Sequence, residues 1–338
     1  MEQPQEFVVS VSPHLRDKVT IPRIMWTVVI TLLPVWIWAC YLFGWAAFKV
    51  VSLSIISAVV AEAIAQKIMK KQITVYDGSA VLTGMLLAYT LPPDVPFWIP
   101  VIGAFFAIII GKQVFGGLGN NPLNPALLGR AFLTASWPVH ITSKWLPPKH
   151  GTLSGIDTVT NATPLALVKA LARGEISGID PNLIKAQLSS SHLYWNLFIG
   201  KVGGCIGETS ALLILLGGLV LLYKKYIEWR LPLTYIATVG GLAWIFAGDG
   251  WFKGDILFHI LAGGLFLGAF YMATDMVTSP LTNKGKVIFG FGCGLITILI
   301  RLKGGYPEGV CYSILLMNLT VPLIDKYTRP KKFGEVKR

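Results

Sequence analysis

Asp157-Thr-Val-Thr160-Asn161-Ala162-Thr163-Pro164-Leu165 gathers carboxylate, hydroxyl and amide side chains in the longest polar interval of an otherwise apolar chain. Thr163, then Pro164, an apolar run and Arg173-Gly174 read as a short helix. Thr is its N-cap, Pro its first residue and Gly its stop. Capping alone accounts for that pattern. The same Thr is also a small hydroxyl, and a phosphate attached to it would face free backbone N–H groups and the positive end of the helix dipole. A second cluster, Gly116-Gly-Leu-Gly119-Asn120-Asn121-Pro122-Leu123-Asn124-Pro125, precedes another helix start. Its amides donate and accept at once, which suits the edge of a uracil-like ring. Read plainly, it is a Gly/Asn turn.

The elements that must position these residues belong to a membrane protein. The 338 residues are 54% hydrophobic and 14% charged, with mean hydropathy +0.62, whereas soluble domains are about one quarter charged. The net charge of +12 does not point to nucleic acid, because the bases sit at the ends of apolar spans rather than in a stripe among aromatics. Residues 1–23 read as a basic amphipathic cytoplasmic lead-in, not a cleaved signal. Apolar spans follow at about 24–43, 48–66, 79–92, 97–111 and 123–137, then at about 205–223, 232–247, 256–271, 286–300 and 309–325. Crossing a bilayer takes ~20 residues, so several spans are short, as in transporters built from inverted repeats with sites near the midplane.

The expected fold is therefore all-α and integral to the membrane. About ten transmembrane helices form two inverted five-helix repeats with short or broken helices, and an outer loop region carries a short helix. The expected units are a first repeat at 24–137, an outer loop at 138–195, a second repeat at 196–325 and a basic cytoplasmic tail at 326–338. Short loops on one side carry Arg16, Lys18, Arg23, Lys67, Lys70, Lys71, Lys112, Lys224, Lys225, Arg230, Lys284 and Lys286, against Lys49, Lys253, Arg301 and Lys303 on the other. The positive-inside rule puts both termini in the cytoplasm and Thr163 outside. Leu82-Thr-Gly84-Met-Leu86-Leu87 against Leu261-Ala-Gly263-Gly-Leu265-Phe266 is the internal match that supports two halves.

Gly119-Asn-Asn121-Pro-Leu123-Asn124-Pro125-Ala126 through Gly129-Arg130-Ala131-Phe132, Gly203-Gly-Cys-Ile-Gly207-Glu208-Thr209, Ala273-Thr-Asp275, Tyr306-Pro-Glu308-Gly309 and Leu323-Ile-Asp325 together resemble the NqrB/RnfD family. These are membrane subunits of sodium-pumping quinone reductase and of the Rnf ferredoxin–NAD complex. The likeness runs over roughly residues 20–330, and a compact chain with a short lead-in lies nearer the RnfD branch. The resemblance implies a covalent FMN, joined through its phosphate to Thr163 by a flavin transferase acting outside the membrane. Asp157, Thr160, Ala162 and Thr163 match the attachment motif Asp-x-x-Ser/Thr-Gly-Ala-Ser/Thr, and Pro164 follows it. Asn161 stands where Gly is usual, and Asn tolerates left-handed backbone. Asn161-Ala162-Thr163 is also a glycosylation sequon, which would need a secretory-pathway host. A second, non-covalent flavin (riboflavin) is implied at Asn121 and Asn124, and Lys201, Glu208 and Thr209 either line the covalent flavin or cap a span.

Acids inside a membrane are costly and mark function. Asp275 and Asp325 are the candidates for an ion route, with Glu62 and Glu308 behind them. Glu308 is expected to pair with a base such as Arg130 or Arg301, and His259 to be a packing residue. Cys40, Cys205, Cys293 and Cys311 are scattered singly and form no metal spacing. With no dinucleotide fingerprint or cysteine cluster, electrons must come from partner subunits, the flavoprotein and iron–sulfur subunits of an Rnf complex, which link the chain to ferredoxin and NAD only indirectly. The expected function is a flavin-carrying subunit of a redox-driven Na+ or H+ pump in the bacterial cytoplasmic membrane, not catalytic alone. The alternatives are a small-solute permease without redox function and an NqrB-like quinone reductase subunit.

Overall fold

A computed structural model of the chain describes residues 19–142, 163–173, 191–248, 250–306 and 308–330. Asp157, Thr160, Asn161 and Ala162 lie outside the described residues, as do the lead-in up to residue 18 and the tail from 331. Among the described residues every regular element is helical.

The first half holds α1 (Ile21–Phe43), α2 (Trp45–Ile68), α3 (Ser79–Tyr89), α4 (Trp98–Ile108) and α5 (Pro125–Ser136). Short helices α6 (Pro138–Thr142), α7 (Pro164–Arg173) and α8 (Ser191–Ile199) occupy the polar interval. The second half holds α9 (Ala211–Tyr223), α10 (Arg230–Phe246), α11 (Ile256–Leu261), α12 (Leu265–Leu267), α13 (Asn283–Lys303) and α14 (Val310–Thr328). Helix occupies each of the ten apolar intervals. Among the described residues, α1, α2 and α13 are long and apolar enough to cross a membrane.

Local chemistry sets the ends. Asn124 caps α5, its Oδ1 accepting from the Ala126 and Leu127 amides at 3.1 and 3.3 Å, with Pro125 as first residue. Ser210, Asp255 and Thr282 cap α9, α11 and α13 in the same way. The expected span 79–92 is helical only to Tyr89, because Pro92 and Pro93 cannot continue it. Its freed Leu91 carbonyl accepts from the Ile206 amide of the turn Ile206–Glu208 at 3.0 Å. The expected span 256–271 breaks at 262–264, where Gly263 takes φ +77°. Non-helical backbone of this kind survives at membrane depth only when buried in protein. The internal sequence match does not extend to local structure. Gly263 is a chain break, while Gly84 lies within α3, where an added Cβ would meet Ile55 Cα of α2 at 2.8 Å.

Two helices end in π turns, Ile109–Gln113 after α4 and Gly268–Met272 after α12. The Val114 and Ala273 amides bond five residues back, to Ile109 and Gly268. Such turns insert one residue and re-aim the side chains that follow, and they gather at functional sites.

Candidate functional site: two clefts at the broken helices

Thr163 caps α7: its Oγ accepts from the Ala166 amide at 3.3 Å and its carbonyl from the Leu167 amide at 3.0 Å. Leu165 packs with Leu197 of α8 and with Phe258 and Ala262 of the broken helix. Lys169 donates to the Tyr306 and Ile300 carbonyls, at 2.5 and 3.3 Å, at the end of α13. An apolar face and one lysine therefore seat the short helix. At Gly263 an added Cβ would meet Leu165 Cδ1 at 3.1 Å, Arg301 at 3.3 Å and Glu308 Oε1 at 3.4 Å, and its positive φ independently favours glycine. Beside this cluster Tyr194 of α8 donates to the Asp255 carboxylate, and burial together with that acid pushes the phenol up to about 12.

Thr163, Pro164 and Leu165 line an open cleft of about 820 Å³, the solvent space at its mouth included. Its charged floor comes from both halves. Arg130 Nη2 of α5 meets Glu308 Oε2 at 2.9 Å, and Glu308 Oε1 accepts from the Gly264 amide at 2.5 Å. The expected pairing of Glu308 with Arg130 is what the structure contains. Arg301 instead donates to the His259 and Ala262 carbonyls, at 2.5 and 3.0 Å, that the helix break leaves free. Glu208 lines the cleft, with its Oε1 buried and without a hydrogen bond. His259 is buried against Phe258, and Lys201 is exposed.

A second cleft, of about 800 Å³, lies between the two π turns, and Asn121, Asn124 and Asp275 all line it. Asn121 Nδ2 donates to the Leu123 carbonyl at 3.1 Å, while Oδ1 is buried with no donor. Asn124 Nδ2 reaches the Met272 carbonyl at 3.2 Å, joining the α5 cap to the second π turn. With its amide turned to satisfy both ends, Asn318 donates to the Thr278 carbonyl and accepts from the Asn124 amide at 3.2 Å. Asp275 accepts from the Val277 amide at 3.3 Å and the Thr278 hydroxyl at 3.1 Å. Asp325 lines neither of these two clefts. It accepts from the Leu281 amide at 3.1 Å and so holds the segment bearing Asp275 against α14.

Sequence reasoning placed Lys112 in a basic inner loop, and the structure corrects this. Lys112 is 1% exposed in the π turn, with Nζ 2.7 Å from Glu62 Oε1 of α2 and 2.6 Å from Ser79 Oγ. The extra residue of the turn carries it inward, where Glu62 compensates its charge. A lone Glu in an apolar span was the available signal, since such an acid requires a partner.

Helices too short to span, broken ends satisfied inside the protein and two clefts with polar floors define a membrane protein with its clefts between the two halves. The chain belongs to the NQR2, RnfD, RnfE family, which it matches over residues 8–334. It is 50% identical, over 97% of its length and 96% of the relative's, to the D-type subunit of the proton-translocating ferredoxin:NAD(+) oxidoreductase complex of Clostridium ljungdahlii. The same identity and coverage relate it to the corresponding subunit of the Na(+)-translocating ferredoxin:NAD(+) oxidoreductase complex of Acetobacterium woodii. Its counterpart in the ion-translocating oxidoreductase complex of Stutzerimonas stutzeri is 43% identical over 93% of this chain and 92% of its own.

Proposed function

We propose that the chain is the D-type membrane subunit of an ion-translocating ferredoxin:NAD oxidoreductase complex, carrying electrons through two flavins and depending on partner subunits for its donors and acceptors. In this reading it sits in the bacterial cytoplasmic membrane with ten crossings in two inverted repeats, both termini inside and Thr163 outside. A flavin transferase joins FMN through its phosphate to Thr163 Oγ. The observation that carries the reading is the position of Thr163, a helix N-cap on the rim of an open cleft. A phosphate there is favoured by the first-turn N–H groups and the dipole of α7.

The inner cleft suits a second flavin, riboflavin. Asn121 Oδ1 is a buried acceptor in need of a donor, which the N–H of a uracil-like edge supplies. Bound flavins supply one-electron carriers at fixed places, while this chain orients them and excludes water. Denaturing electrophoresis of the purified complex tests the covalent group by in-gel flavin fluorescence, and acid extraction tests the free one. A dark band from a host with the transferase would favour the permease reading, which expects solute flux from this chain alone. Asn121→Ala with Asn124→Ala is expected to remove one equivalent of acid-extractable flavin per complex while the covalent band persists. Unchanged extraction would remove the inner site.

Overall identity is the same to relatives named for H+ and for Na+, so overall likeness does not choose the coupling ion. Asp275 and Asp325 are the proposed ion-route acids. Asp275→Asn is expected to slow ion transport at least tenfold with both flavins retained, and Asp325→Asn to slow it less, since an amide oxygen still accepts from Leu281. Normal ion-dependent turnover in both variants would remove these acids from the route.

A further inference from the structure

Among the described residues Lys112 is the one Lys or Arg lining the inner cleft. It sits on the π turn Ile109–Gln113, and the other π turn brings Phe270 and Tyr271 to the same cleft. Nζ donates to Glu62 Oε1 and to Ser79 Oγ, and Ser79 lines the cleft and donates to Asp77. An ammonium has three N–H groups, and these two bonds leave the third uncommitted. Glu62, 1% exposed, is used on one side only. Its Oε1 takes Lys112, Gln113 at 2.8 Å and Gln66 at 3.3 Å, while the buried Oε2 has no hydrogen bond.

Stability alone is a weak reason to keep such a pair. Desolvating two charges costs several kcal/mol per ion, and neutral replacements of buried pairs are often as stable or more so. The other charged residue lining the cleft is Asp275, whose carboxylate is engaged by Val277 and Thr278. The cleft therefore presents one cation, drawn back by one buried carboxylate, to whatever occupies it.

We propose that Lys112, positioned by Glu62 and Ser79, is the charge that sets the electron affinity of the inner occupant, a planar redox ring that becomes more negative on reduction. This rests on the flavin reading of the inner cleft. A cation beside such a ring favours its reduced form and an anion disfavours it. Lys112 and Glu62 therefore act with opposite sign, and Lys112, which lines the cleft where Glu62 does not, acts the more strongly.

The test compares the double variant Lys112→Met/Glu62→Gln, which strands no buried charge, with Glu62→Gln, in which the Lys112 ammonium keeps its bond to Ser79 Oγ. Each is made in the assembled complex on a Thr163→Ala background, so that the covalent flavin of this chain is absent. Native electrophoresis confirms assembly, the extractable flavin and redox step that Asn121→Ala/Asn124→Ala removes identify the inner occupant, and a redox titration gives its potential. Glu62→Gln is expected to raise the potential by at least a tenfold change in the one-electron equilibrium constant, ~59 mV. The double variant is expected to fall below Glu62→Gln by more than that rise. Should Glu62→Gln fail to assemble, the double variant decides alone: it is expected below the Thr163→Ala parent, because the cation removed lines the cleft and the anion does not. Retained flavin with an unmoved potential, or with shifts of the same sign, overturns the role of Lys112 and leaves the flavin reading standing. Absence of that inner flavin before either charge is altered overturns both.

Discussion

Thr163→Ala is expected to abolish covalent flavin on this chain, while Thr163→Ser retains it. The readouts are in-gel fluorescence after denaturation and intact mass, which should drop by one FMN in the Ala variant alone. Loss should be complete rather than partial, because a phosphoester needs a hydroxyl and Ala offers none. The fold should survive. An N-cap Thr→Ala exchange costs about 1 kcal/mol, and α7 is also held by Lys169 and by Leu165 among Leu197, Phe258 and Ala262. Extractable flavin should stay at the wild-type level, since the inner cleft does not include Thr163. Covalent flavin persisting in the Ala variant would move the attachment to another residue, Thr160 first.

Arg130→Met is the most destabilising single change expected at the site. It leaves Glu308 partly buried, with the Gly264 amide as its remaining hydrogen bond. Removing one partner of a buried pair costs about 3–5 kcal/mol, chiefly for the charge left behind. The pair joins α5 to the turn before α14 and, through Gly264, to the helix break, so the loss should reach both halves. Adding Glu308→Gln removes the stranded charge, and the double variant should recover most of the stability. Thermal unfolding of the complex in detergent reads the difference. A double variant no more stable than Arg130→Met alone would mean that Arg130 acts through another contact, such as the one it makes with Cys205 Sγ at 3.9 Å.

The clefts differ in how far the linear chain revealed them. The sequence by itself determined an all-helical membrane protein, the positions of its apolar helices, the Thr163 cap and the family likeness. These depend on local matters: hydropathy over one span, a Thr-Pro start, and motifs contiguous in the chain. Asn121 and Asn124 were legible as a polar cluster for the same reason.

Only the tertiary structure decided what faces what. It separated Asp275, on the inner cleft, from Asp325, which spends its carboxylate on Leu281, although both read alike as acids at the ends of apolar runs. It placed Glu208 and Glu308 beneath Thr163, some 45 and 145 residues away in the chain. It also took Lys112 out of the loop where the charge pattern put it. Hydropathy registers a lysine as a reason to end a helix, whereas a π turn and an acid fifty residues earlier turn it inward. Local sequence specifies each helix and its caps, but a buried charge is stable only beside its partner, and only the packing of helices supplies one.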